Sequence, residues 1–182
     1  MEKFLCPFGA LYREYRTAGH ISLWQVVHRL GYYLANIQRI EAGVQQPGVL
    51  LTLRLLNAIE ADAGRFMQEL AMANVASLPQ CVAPLPGAGV TYRMPQLQEG
   101  QKSFFGPLLL QARKAAGVSQ TGMARAAGYN LRNMRAVESG RQDPGIMTAL
   151  ALVGTTGVDI QKFFMVLASA WKAGQEKSCT TS

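Results

Sequence analysis

Apolar residues recur along this chain at the three- and four-residue spacing of helices, and no run alternates with the two-residue period of a strand. The clearest stretch is Phe105 to Ala116, where Leu108, Leu109, Ala112 and Ala115 share a face and Gly117 supplies a stop. Ser119 is a good N-cap for a second helix, Gln120 to Ala127. Gly128 then offers a tight turn, Asn130 caps a third helix, Leu131 to Ser139, and Gly140 ends it. Pro144 suits the start of a fourth helix, where its missing N–H costs little. Asp159 caps a fifth, carrying Phe163, Phe164, Val166 and Leu167. The pattern predicts an all-α protein.

The same punctuation occurs earlier, at Ser22, Gly31, Gly43, Pro47 and Asp62. From Phe8 to about Ala73 the chain aligns with itself, without a gap, at an offset of 97 residues. Phe8-Gly9 matches Phe105-Gly106, Arg16 matches Arg113, and Ser22 matches Ser119. Gly31-Tyr32, Asn36, Glu41, Gly43 and Pro47-Gly48 match Gly128-Tyr129, Asn133, Glu138, Gly140 and Pro144-Gly145. About a third of the aligned positions are identical. Two copies of one five-helix domain, 1–74 and 102–173, account for this economically. Residues 75–101 hold Pro79, Pro84, Pro86 and Pro95 with Gly87 and Gly89, which reads as a linker. The small polar stretch 174–182 reads as a frayed tail.

Val118-Ser119-Gln120, Met123-Ala124, Ala127-Gly128, Asn130 to Met134, Val137-Glu138, Gly140 and Pro144 form a pattern. In type and spacing it resembles the lambda-repressor/Cro-like helix-turn-helix domains, the XRE family. The first copy resembles them more loosely, through Ile21-Ser22, Gly31, Ile37, Ile40-Glu41, Gly43 and Pro47. The resemblance implies two tandem lambda-repressor-like domains whose third helix enters the DNA major groove. There, base edges present distinguishable donor and acceptor patterns.

In the second copy, Met134 and Val137 are the expected buried positions of that helix, and Asn130, Arg132, Asn133 and Arg135 the outward ones. Arginine pairs with guanine and asparagine with adenine. The resemblance gives Ser119, Gln120 and Thr121 to backbone phosphate, which suits the positive end of a helix. Arg141 adds charge beside them. In the first copy the outward positions are Tyr33, Ala35, Asn36, Gln38 and Arg39, and Leu23 stands where the family carries Gln. The recurring pairs Arg16 with Glu41 and Arg113 with Glu138 are, by the same resemblance, structural ion pairs. Trp24, Tyr32 and Tyr33 are expected in the core or an interface. Met67, Met72, Met134, Met147 and Met165, at helical positions, are expected in the core.

Charge separates the copies. The chain carries 18 Lys or Arg against 11 Asp or Glu, a net charge of +7. Residues 1–74 have seven basic against six acidic side chains, and residues 101–182 have ten against four. The positive excess therefore belongs almost wholly to the second copy, where counterion release favours DNA.

Other chemistries find little support. Cys6, Cys81 and Cys179 are odd in number and form no CxxC pair, which points to a reducing compartment. His20 and His28 have no partners at ligand spacing, so no metal site is expected. No nucleotide-binding glycine loop and no catalytic constellation stands out, so neither a cofactor nor an enzyme is expected. Glu2, Lys3, Arg13, Glu14 and Arg16 interrupt any apolar core of a signal peptide, and the longest uncharged run, Leu70 to Tyr92, contains three prolines. A cytoplasmic protein without a membrane segment is the expectation.

The leading reading is a sequence-specific transcriptional regulator, a repressor by preference, acting on double-stranded DNA. The rival is a protein-binding antiactivator or antitoxin-like adaptor on a helix-turn-helix scaffold, with the first copy as the partner-binding module. Two arrangements on DNA remain open. Either one chain acts as a pseudo-dimer whose copies bind successive half-sites, or two chains form a homodimer through the apolar first copy. The second is slightly favoured on sequence.

Overall fold

The computed structural model describes residues 6–74, 92–93 and 103–179, with side chains as far as Gln175. The described residues form ten α-helices and no strand. In the first half these are α1 (Pro7–Ala18), α2 (Leu23–Leu30), α3 (Leu34–Glu41), α4 (Val49–Ala58) and α5 (Ala63–Ala73). In the second they are α6 (Phe105–Ala115), α7 (Gln120–Ala126), α8 (Leu131–Glu138), α9 (Ile146–Gly154) and α10 (Ile160–Cys179).

Most of these helices are too short to persist alone, so caps and packing define them. Ser22 accepts from the Gln25 N–H while the Gln25 side chain accepts from the Ser22 N–H, a reciprocal capping box at α2. Asp62, Ser119, Asn130 and Asp159 each accept a backbone N–H in the first turn of α5, α7, α8 and α10. Gly31 and Gly128, at φ +65° and +60°, make the turns that lead into α3 and α8, a conformation that strains a side chain.

The buried residues repeat at the offset of the sequence. Phe8, Ile37, Ile40, Phe66 and Leu70 are fully buried, and so are their equivalents Phe105, Met134, Val137, Phe163 and Leu167. Phe8 meets Phe66 edge-on at 5.3 Å, and Phe105 meets Phe163 edge-on at 5.7 Å. One contact in each half leaves no room for a side chain. A β-carbon on Gly106 would lie 2.0 Å from the Val137 carbonyl oxygen, and one on Gly9 would lie 2.1 Å from that of Ile40. Bare backbone thus seats α6 on α8 and α1 on α3. Gly106→Val should therefore lower the unfolding free energy by about 3 kcal/mol, through overpacking against backbone that cannot yield. An unchanged melting temperature would contradict this contact.

Three expectations need correction. Pro144 does not open the fourth helix: Gly145 is its N-cap, α9 begins at Ile146, and the Pro144 carbonyl instead accepts the Val49 N–H at 3.0 Å. The last helix does not fray at Gly174. It continues to Cys179, because Gly174 lies flush against the Phe104 ring, where a β-carbon would come within 2.8 Å. Met72 and Met165 are not core residues, since both are exposed, and Met147 is half-buried; of the core-or-interface expectation for Trp24 and Tyr33 only the core alternative fails, since both are exposed. Trp24, Met72 and Met165 lie off the inward stripe of their helices, and Tyr33 precedes α3 as its N-cap residue. The linker reading of 75–101 falls outside the described residues except at Tyr92 and Arg93. Tyr92 packs edge-on against Phe163 at 5.8 Å, and the Arg93 backbone exchanges hydrogen bonds of 2.9 and 3.0 Å with the Gln111 side chain.

The two halves pack together, α5 against α10 and α4 against α9. The Val49 N–H donates to Pro144 O and the Ile146 N–H donates to Pro47 O at 2.9 Å, an antiparallel bridge between Gly48 and Gly145. Asp143 Oδ2 accepts the Leu50 N–H at 3.0 Å. Gln46, its amide oriented by its partners, accepts the Met147 N–H at 2.7 Å. Burial pushes the Asp143 carboxyl above its ordinary pKa, and the Leu50 N–H partly offsets that. Within the apolar first copy, on which the homodimer reading rests, Val49 and Leu53 of α4 are buried within the chain.

Candidate nucleic-acid interface

In the second half, α7 and α8 are held by one polar network centred on Glu138. Arg113 on α6 donates to it through Nε and Nη2, the latter at 3.1 Å, and its Nη1 donates to Val118 O at 2.9 Å. Gln120 Nε2 donates to Glu138 Oε2 at 2.7 Å, and Arg135 Nε reaches Gln120 Oε1 at 3.4 Å. Three helices thus meet at a carboxylate whose side chain is only 5% exposed. Such a charge is tolerable because guanidinium and amide donors surround it.

Around this fixed centre the outer face of α8 is open. Asn130, Arg132, Asn133 and Arg135 are exposed, while Met134 and Val137 are buried. Asn130 spends its carbonyl oxygen on the Arg132 N–H at 2.8 Å, so it serves first as a cap. Ser119 Oγ caps α7 through the Gly122 N–H at 3.0 Å. Thr121 is exposed, and so is Arg141, whose Nε donates to Ser139 Oγ at 2.9 Å. Among the described residues, Arg125, Arg132, Arg135 and Arg141 form no salt bridge. Gln120 is the exception to the expected surface set. It is half-buried, and both ends of its amide are engaged within the network.

The first half repeats the scaffold with a different surface. Arg16 pairs with Glu41 through Nε at 2.6 Å and Nη2 at 3.2 Å, and its Nη1 donates to Ile21 O at 2.7 Å. The Glu41 carboxylate raises the Arg16 pKa above its ordinary value, against the opposing effect of burial. Leu23, in the place of Gln120, cannot extend this network. Tyr33, in the place of Asn130, gives α3 no side-chain cap. Trp24 is 69% exposed and Tyr33 80% exposed. Gln38 and Arg39 are exposed beside them, and Asn36 is half-buried.

No known protein family, curated protein or solved structure matches this chain. Its chemistry is therefore read from the two surfaces themselves. The α8 face carries guanidinium and amide donors on a braced helix. The α3 face offers amide groups and one guanidinium beside large aromatic rings. Sequence reasoning missed the backbone seats at Gly9 and Gly106; their shared identity in the repeat was the available signal.

Proposed function

We propose that the protein is a double-stranded DNA-binding regulator of transcription, a repressor by preference, built from two tandem five-helix helix-turn-helix domains. The second domain, residues 102–173, inserts α8 into the major groove and reads bases with Arg132, Asn133 and Arg135. Ser119, Thr121 and Arg141 contact the phosphate backbone, with Gln120 bracing α7 against α8. One observation carries this reading: an exposed row of guanidinium and amide groups, without salt bridges among the described residues, on a short helix that Glu138 ties to its two neighbours.

Selection of bound duplexes from a random pool, followed by titration over a range of salt concentrations, tests it. A consensus should emerge, and affinity should fall steeply as salt rises. A flat salt dependence with no consensus would overturn it. A second reading concerns the first domain alone, and the exposed Trp24 and Tyr33 favour it. There the α2–α3 face holds a protein partner instead of DNA. Under that reading, Trp24→Ser with Tyr33→Ser leaves DNA affinity unchanged; a lowered affinity assigns the face to DNA.

A further inference from the structure

The contacts between the halves have the form of a two-fold axis inside one chain. In an isologous interface, residue i meets j while j meets i, and residues on the axis meet their own equivalents. Both signs are present. Gly48 lies opposite its equivalent Gly145, flanked by two reciprocal hydrogen bonds, Val49 N–H to Pro144 O and Ile146 N–H to Pro47 O. Gln46 caps Met147 N–H while its equivalent Asp143 caps Leu50 N–H, each from outside the half it caps. At a second, separate point, Gly64 of α5 lies on its equivalent Gln161 of α10, where a β-carbon would come within 2.6 Å of the Gln161 carbonyl oxygen. Two such points fix the rotation that carries one half onto the other, and that rotation carries α3 onto α8.

We propose that a single chain is a complete reader of a two-half-site operator, and that its half-sites are inverted but unlike. This rests on the DNA-binding reading above. The two helices present the same amide at one position and different groups around it. Asn36 and Asn133 are equivalent, so both half-sites share an A·T pair. Arg132 and Arg135 correspond to Ala35 and Gln38, while the one guanidinium of α3, Arg39, corresponds to Ala136, so guanine is read at different positions of the two half-sites. Because backbone bridges and reciprocal caps set the geometry, residues 75–101 do not set the distance between half-sites. That distance is about one helical turn, roughly 10 base pairs.

The test is duplex selection with the full chain, followed by native mass measurement of the complex. One chain per duplex is expected, on unlike inverted half-sites that share the A·T pair. A Gly/Ser insertion between Ala83 and Pro84 should leave the preferred spacing unchanged. Gly64→Leu, which forces α5 off α10, should lower affinity for the paired site by about tenfold or more, through lost effective concentration. It should spare affinity for the α8 half-site alone. Two chains bound to a palindrome of identical half-sites would overturn this arrangement while leaving the DNA-binding reading intact. Retention of no duplex at all would overturn both. The stoichiometry of the unaltered chain decides the matter even if the Gly64 variant fails to fold.

Discussion

Glu138→Ala should lower the unfolding free energy by about 3–5 kcal/mol, one of the two largest single effects expected in this protein. The side chains of Arg113 and Glu138 are 13% and 5% exposed, so removal of the carboxylate strands a guanidinium that water reaches poorly. Gln120 loses its acceptor in the same step. Glu138→Gln keeps an acceptor and the side-chain volume, so it should cost clearly less. Glu41→Ala should cost somewhat less than Glu138→Ala, since Leu23 contributes no third donor to that site. Denaturant titration followed by circular dichroism measures all three. A loss below about 1 kcal/mol for Glu138→Ala would place the pair among ordinary surface ion pairs and remove the argument that it braces α8.

Replacing Arg132 and Arg135 together with alanine should reduce affinity for the selected duplex by about 2–5 kcal/mol, a loss of several hundredfold at the middle of that range. Both side chains are exposed, so helical content and melting temperature should stay near those of the parent chain. Arg29→Ala is a suitable control. It also removes an exposed arginine, but one whose guanidinium is already engaged by Ala58 O and by Glu60 at 3.1 Å. Retained affinity in the double variant, measured by gel shift or fluorescence anisotropy, would show that α8 does not read the bases.

Much of the fold is legible in the sequence because it is written locally. Ser22, Ser119, Asn130 and Asp159 announce helix starts that their own side chains then cap. The internal repeat brings Arg16 with Glu41 and Arg113 with Glu138 into view before any coordinate does, although only the resemblance says that they pair. Other features depend on what arrives from a distance. The small polar stretch from Gly174 looks like a frayed tail until the Phe104 ring is placed against Gly174. Trp24 suits a core or an interface until α2 turns Val26 inward and leaves the indole exposed. Pro144 resembles a helix opener because nothing in the local sequence reveals that its carbonyl is claimed by Val49, almost a hundred positions away. The meeting of the halves is least visible of all, since it depends on pairs such as Gly64 with Gln161 that share no residue type.

That last pair has a consequence of its own. When two identical polypeptides associate about an axis, every change on one side is duplicated on the other. Two glycines facing each other would leave a gap, and two glutamines would collide. With both sides encoded in one polypeptide, a bare α-carbon can sit under a long neighbour, and either half can drift toward a new task while its twin stays as it was.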